Sequence, residues 1–205
     1  MKTILPFLAL ISFLFFSSDI SSQNLKHKYA TQGTWEFGGD IFFTTTTEDY
    51  SSTYESQYNF NNTVLDFAVN ANAGFFVIKG LKLGIEPGIE VTNTYRTQTV
   101  LKLYFTPEYV FDMKTAVYPY AAGAIGFTSV NPYYTSNYAN GFSWGFRLGL
   151  KINLAGNSLL NVGLRYYEGQ YNTTYEDNYV IPHYSYDIKD KTKELGLALG
   201  WSVFF

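Results

Sequence analysis

The stretch LGLALGWSVFF, residues Leu195 to Phe205, decides the fold. Leu195, Leu197, Leu199, Trp201, Val203 and Phe205 occupy alternate positions, with Gly196, Ala198, Gly200, Ser202 and Phe204 between them. Successive side chains of a strand point to opposite faces, so period two describes a strand with one bulky apolar face and one small, mildly polar face. The run is longer than an ordinary strand and matches what a tilted strand needs to cross a bilayer. The sequence ends on an aromatic residue, and earlier segments repeat the alternation. A transmembrane β-barrel is the reading that accounts for all of this.

Composition bounds the alternatives. The chain has 205 residues, 46% apolar and 15% charged, with a formal net charge of −3, which is room for one domain. Aromatic residues make up 20%, including 19 Tyr and 18 Phe. With no Cys there is neither a disulfide framework nor a thiolate metal site. Lys and Arg total only 14, without a basic run, so nothing points to a nucleic-acid partner. No motif calls for a cofactor.

Residues 1–22 have the layout of a secretory signal peptide: Lys2, an apolar core from Ile4 to Phe16, and a serine-rich exit region. Cleavage after Ser22, leaving Gln23 first, is the preferred site, although Asp19 interrupts the exit region. A retained anchor is the rival, but the apolar stretch is short for a spanning helix. Residues 23–34 read as a polar periplasmic lead-in and residues 35–205 as the barrel. Beyond residue 22 no apolar run approaches the length of a spanning helix, a test that is blind to barrels because alternate residues of their strands are polar.

Eight strands follow from the alternation: Trp35 to Phe43, Val64 to Phe76, Leu81 to Val91, a fourth beginning near Thr99, Val117 to Phe127, Phe142 to Lys151, a seventh from Leu160 to Tyr167, and the terminal run. Pro87 falls on an apolar face and cannot donate to a ladder, which predicts a local bulge beside Gly88. The polar stretches Thr44–Thr63, Thr128–Asn140 and Glu168–Asp190 read as long loops, and Thr92–Gln98 as a modest one. The other connections are short. Short turns on one side and long loops on the other place both termini in the periplasm and the tyrosine-rich loops outside. Trp35, Phe43, Trp144, Tyr166, Trp201 and Phe205 fall near predicted strand ends, where interfacial girdles form.

Charges of both signs gather opposite the apolar faces. Glu36, Asp40, Asp66, Glu86, Glu90 and Glu194, with Lys82, Lys102, Arg147, Lys151 and Arg165, are predicted to fill the interior as a packed polar plug. Pairing would satisfy groups that are costly to bury alone. A soluble lipocalin-like barrel or secreted sandwich is the structural rival. A lipocalin would place the apolar face inside and the charges outside.

The opening TWEFGGDIFF, the hairpin FFVIKGLKLGIEPGIEV, the segment PYAAGAIGF and the terminal LGLALGWSVFF resemble the small outer-membrane β-barrel superfamily, the OmpX-like and related outer-membrane β-barrel domain proteins. The resemblance covers about Trp35 to Phe205. It implies an all-β, eight-stranded antiparallel transmembrane barrel in the outer membrane of a Gram-negative bacterium, in contact with outer-membrane lipids and lipopolysaccharide. It further implies adhesion, host interaction or envelope integrity as roles, and Phe205 as the terminal aromatic read by the outer-membrane assembly machinery.

Chemistry rests on one weak pair, His183 and Ser185. Barrel lipases that deacylate lipid A place a His and a Ser two residues apart on one strand, with an Asn after the Ser. Here Tyr186 stands in that place, and the pair falls in the predicted last loop behind Pro182, with only Glu168 or Glu194 offered as the acid. His27 and His183 are far apart and no H-E-x-x-H occurs, so no metal site is predicted. Loop acids Glu48, Asp49, Glu176, Asp177 and Asp187 read as solvated. Asn61–Thr63 and Asn172–Thr174 match glycosylation acceptors in name only. Tyr50, Tyr54 and Tyr58, then Tyr133, Tyr134 and Tyr138, then Tyr171, Tyr175, Tyr179, Tyr184 and Tyr186 suit a binding surface, since tyrosine supplies rigid amphipathic contact area. The plain alternative is that the whole chain is rich in Tyr. The sequence therefore favours a structural or adhesive barrel with a possible extracellular partner, over a narrow pore for ions or small solutes and over a His–Ser lipid hydrolase.

Overall fold

A computed structural model describes residues 29–52, 61–93, 97–130, 139–177 and 184–205. Period-two alternation becomes eight strands: β1 (Trp35–Ser52), β2 (Asn61–Ile78), β3 (Leu81–Asn93), β4 (Thr97–Val110), β5 (Val117–Val130), β6 (Ala139–Ala155), β7 (Ser158–Asp177) and β8 (Tyr184–Phe204). Each pairs antiparallel with its sequence neighbour, and β1 pairs with β8, closing the barrel. Closure is what lipid demands, because an open edge would leave backbone groups without partners.

Followed around the wall from Phe37, the paired residues run Ala73, Ile85, Phe105, Ile125, Trp144, Glu168 and Lys193, and return to β1 at Thr47, ten residues on. With a ~3.3 Å rise and ~4.8 Å strand spacing, that stagger tilts the strands by about 40°. The ten steps from Leu195 to Phe205 then climb roughly 25 Å, the height of a membrane barrel's apolar band.

The two faces of every strand separate cleanly. Ile41, Phe67, Ile85, Leu103, Ile125, Leu148, Leu164 and Leu199 point outward and are exposed, whereas the charged alternate residues are buried. Apolar outside and charged inside is the arrangement of a membrane barrel, and the reverse of a lipocalin's.

The strands are longer than the alternation predicts. Residues 44–52 and 61–63, expected as loop, are the continuations of β1 and β2, and β1 stays paired with β8 as far as Ser52–Ile188. Residues 168–177 and 184–190 likewise extend β7 and β8. β3 and β4 take up most of the predicted Thr92–Gln98 connection, and β5 and β6 the ends of the Thr128–Asn140 one. Beyond the lipid both faces of a strand meet water or polar groups, so no apolar alternation marks it. For the same reason Phe43, Trp144 and Tyr166 lie mid-strand, at the outer edge of the apolar band and not at strand ends. Phe43 packs edge-on to Phe67, and Tyr166 contacts both Trp144 and Phe146. Trp35, Phe37, Phe75 and Phe205 form the opposite girdle.

The bulge expected at Pro87 is absent. The β2–β3 register is the same on both sides of it, Asn70 opposite Gly88 and Ala73 opposite Ile85, and Pro87 stays paired with Leu103 of β4. The ladder lapses on the β2 side alone, where the missing N–H is felt. The register shifts of the barrel fall instead at Phe76/Ile78 and Asn153/Ala155, beside the short turns.

Candidate functional site

The lumen holds a dense set of charged and polar side chains. Glu36, Asp40, Asp66, Lys82, Glu86, Glu90, Lys102, Arg147, Lys151, Arg165 and Glu194 are all buried there. Inward positions on different strands bring ten of them, all but Asp66, into three tiers.

At the end near the short turns, Lys151 Nζ lies 2.6 Å from both Glu36 Oε1 and Glu108 Oε1, and Lys82 Nζ lies 3.1 and 2.9 Å from the same two atoms. Glu108 is the lumen acid that the sequence reading misses. The inward series Lys102, Tyr104, Thr106 runs on to it through Pro107, within β4. In the middle tier Arg147 Nη2 sits 2.7 Å from Glu86 Oε2 and its Nη1 3.8 Å from Asp40 Oδ2. Asn70 donates to Glu86, and Asn72 to Asp40 at 3.0 Å. In the outer tier Lys102 Nζ bridges Glu90 Oε2 at 2.7 Å and Glu194 Oε1 at 2.6 Å. Arg165 Nη2 reaches Glu194 Oε2 at 2.6 Å and Glu90 at 3.4 Å, with its guanidinium 4.0 Å from the centre of the Phe42 ring. Beside it Thr128, Ser143 and Tyr104 form a hydroxyl chain, 2.6 and 3.0 Å apart in turn.

Taking such charges out of water costs several kcal/mol apiece, and close, multiple pairing offsets it. Glycines make the room. A Cβ on Gly200 would lie 1.8 Å from Asp40 Oδ1, and one on Gly88 2.1 Å from Asn70 Oδ1. What remains between the lower two tiers, among Glu36, Asp40, Asn72, Lys82, Tyr120 and Arg147, is a cavity of about 10 Å³. That is the volume for a single water and no wider path.

The lead-in is more than a tether. Tyr29, ahead of β1, turns into the barrel mouth and packs against Phe76, Tyr118 and Phe204 at ring separations of 5.5, 5.0 and 4.9 Å. Its hydroxyl donates to Glu36 Oε2 at 2.7 Å, and Ala30 accepts from the Gly80 N–H at 2.8 Å. Burial, with the Glu36 and Glu108 carboxylates nearby, pushes the phenol well above its usual range and keeps it a donor. A lone aromatic in a polar segment carried no periodicity that would have revealed it.

The remaining candidates scatter. Residues 1–28, His27 among them, lie outside the described residues, as do Tyr54, Tyr58, Tyr133, Tyr134, Tyr138, Tyr179 and His183. Ser185, read as a loop residue, stands on β8 across from Glu176 of β7. Tyr50, Tyr175, Tyr184 and Tyr186 are on strands, as are Glu48, Asp49, Asp177 and Asp187. Tyr171 is not a loop residue but is buried in the lumen, within 3.4 Å of Thr192 Oγ1. Among the described residues no group of three or more His, Asp or Glu is placed to hold a metal.

No protein-family model matches the chain, and no curated protein is similar to it in sequence. Solved structures do match in shape. OprG from Pseudomonas aeruginosa superposes with a TM-score of 0.62 at 10% identity, over 85% of this chain and 97% of that one. AlkL, solved by solid-state NMR in DMPC bilayers, gives 0.54 at 16% identity over 90% and 96%. Neisserial surface protein A gives 0.53 at 16% identity over 84% and 99%. At these identities the likeness is one of fold, the small outer-membrane β-barrel.

Proposed function

We propose that this protein is an integral protein of the Gram-negative outer membrane whose barrel serves as a closed anchor, and whose projecting strands and their tips carry a surface-interaction role. The packed lumen supports this reading: among the described residues, three tiers of paired charges, a mouth stoppered by Tyr29 and a water-sized void between the lower two tiers favour a closed interior over a conducting one. Outside the apolar band, β1, β2, β7 and β8 continue as a paired wall well clear of the lipid. A place at the cell surface is also what the name of Neisserial surface protein A states for that neighbour.

Conductance of the folded protein in a planar bilayer tests the anchor. A silent membrane is the expected record. Steady unitary steps that shift in Arg147→Gln would replace the anchor with a pore. The surface role is tested by replacing residues 172–189 with a tight Asn–Gly turn. The barrel should still fold, and bacteria expressing it should lose adherence to the surface that the parent strain colonises. Unchanged adherence would remove the role from this wall. The hydrolase reading is settled by Ser185→Ala, which leaves lipid A acylation unchanged if no His–Ser chemistry operates.

A further inference from the structure

We propose that the lumen binds one small monovalent cation, of the size and charge of sodium, in the cavity between the lower two tiers, with Asp40 as its counter-charge.

The charges of the tiers point to this place. The tier at the mouth sets Glu36 and Glu108 against Lys82 and Lys151. The outer tier sets Glu90 and Glu194 against Lys102 and Arg165. The middle tier sets two carboxylates, Asp40 and Glu86, against Arg147 alone. Arg147 is committed to Glu86 at 2.7 Å and stands 3.8 Å from Asp40, beyond hydrogen-bond reach. Asp40 keeps the Asn72 amide at 3.0 Å as its donor, and is only 6% exposed. A neutral amide does not compensate a carboxylate taken out of water, so the tier is one positive charge short.

A second, independent feature lies in the same place. Asn161, 5% exposed, donates through Nδ2 to Ser202 Oγ at 3.3 Å, and its Oδ1 is buried without a donor among the described residues. Asn72 likewise turns its Nδ2 to Asp40 and leaves a buried Oδ1 bare. Asp40, Asn72 and Asn161 all line the cavity of about 10 Å³. Buried oxygens without donors mark the place of a water or an ion. A water would satisfy the amide oxygens and leave the charge deficit, whereas a cation answers both. Carboxylate and amide oxygens are the groups that replace a hard cation's hydration shell. The neighbours set the ion's class. Lys82 and Lys151 line the same cavity, each held between Glu36 and Glu108, and their ammonium groups disfavour a doubly charged guest. Calcium takes about 6–8 oxygen ligands, several of them carboxylates, and the described residues gather no such acidic group. A cavity the size of one water admits a bare sodium ion and not a hydrated one.

The test is reversible urea unfolding of the full barrel in zwitterionic vesicles, with the salt changed at constant ionic strength. Sodium chloride should raise the midpoint over N-methylglucamine chloride, whose cation is too large to enter. Where sodium stands tenfold above its dissociation constant, the unfolding constant should be about tenfold lower. Magnesium chloride should do no more than N-methylglucamine. Asp40→Asn keeps the shape and removes the charge, so it should fold and lose the sodium response. Asn161→Leu removes one bare oxygen and should weaken the response, and Lys79→Gln, at an exposed turn, should keep it in full. A parent barrel indifferent to sodium would overturn the inference. If its midpoint then followed pH, and Asp40→Asn abolished that dependence, the missing charge would be a bound proton. A sodium response undiminished in Asp40→Asn or in Asn161→Leu, or one equalled by magnesium, would overturn it as well.

Discussion

Tyr29 should be worth more to the barrel than its place in a polar leader suggests. Tyr29→Phe removes one hydrogen bond, the 2.7 Å donation to Glu36 Oε2, and leaves that oxygen buried without its donor, while Oε1 keeps Lys151 and Lys82. A hydrogen bond to a charged group is worth about 1.5–3 kcal/mol. Tyr29→Ala also withdraws a buried ring from Phe76, Tyr118 and Phe204, and large aromatic truncations cost about 3–5 kcal/mol. The mouth opens to water, which can refill part of the space, so the total for alanine should fall near 4 kcal/mol, with phenylalanine near 2. Reversible urea unfolding in lipid vesicles, followed by tryptophan fluorescence, measures both. The midpoint should fall in the order parent, phenylalanine, alanine, with little change in slope. A loss below about 1 kcal/mol for alanine would refute the reasoning, because the tiers would then seal the mouth without a stopper.

Three further outcomes follow from the same geometry. Lys102→Met leaves Glu90 and Glu194 with Arg165 alone and should cost about 3–5 kcal/mol in the same unfolding assay; adding Glu194→Gln should recover a large part of it. Gly200→Ala drives a methyl to 2.6 Å from the Gly39 carbonyl oxygen as well as onto Asp40, so it should lower stability by about 1–3 kcal/mol and slow refolding, since it wedges the seam that closes the barrel. Phe205→Ala keeps the reciprocal backbone hydrogen bonds with Trp35, at 3.0 and 3.1 Å. Its stability after refolding should therefore change little while outer-membrane yield in cells drops, the signature of an assembly signal. Comparable losses in both would make Phe205 a structural residue only.

What the sequence discloses is set by where lipid is. Between Leu195 and Phe205, or Leu81 and Val91, one face must be apolar, and the alternation writes the strand into the composition. Past Phe43 that demand ends, and Thr44–Thr47 looks like a loop although Thr44 and Thr46 are buried inward in a continuous ladder. Tyr171 misleads for the same reason: a tyrosine among Asn, Thr and Gln reads as surface, and only the register shows that it points inward. Glu108 lies past Pro107, where the alternation of β4 is carried by Tyr109 and Val110 rather than by a clear apolar series. A proline lacking its N–H interrupts one ladder while the other strand neighbour still holds the chain, as Pro107 does opposite Leu83. The pairing partners of the lumen charges were beyond reach altogether, because alternation gives a face and never the residue across the bore.

Those partners have a consequence for how the molecule comes into being. Backbone hydrogen bonds join only adjacent strands, but most of the lumen ion pairs are chords: Lys151 of β6 to Glu36 of β1, Lys102 of β4 to Glu194 of β8, Arg165 of β7 to Glu90 of β3. A sheet grown from either terminus would reach the bilayer with most of these chords missing one end, and an unmatched Lys or Arg at the midplane costs about 2–4 kcal/mol. The membrane therefore rejects every partial sheet and accepts the finished ring. Closure is thus expected to accompany insertion, with the far wall of the barrel supplying the counter-ions.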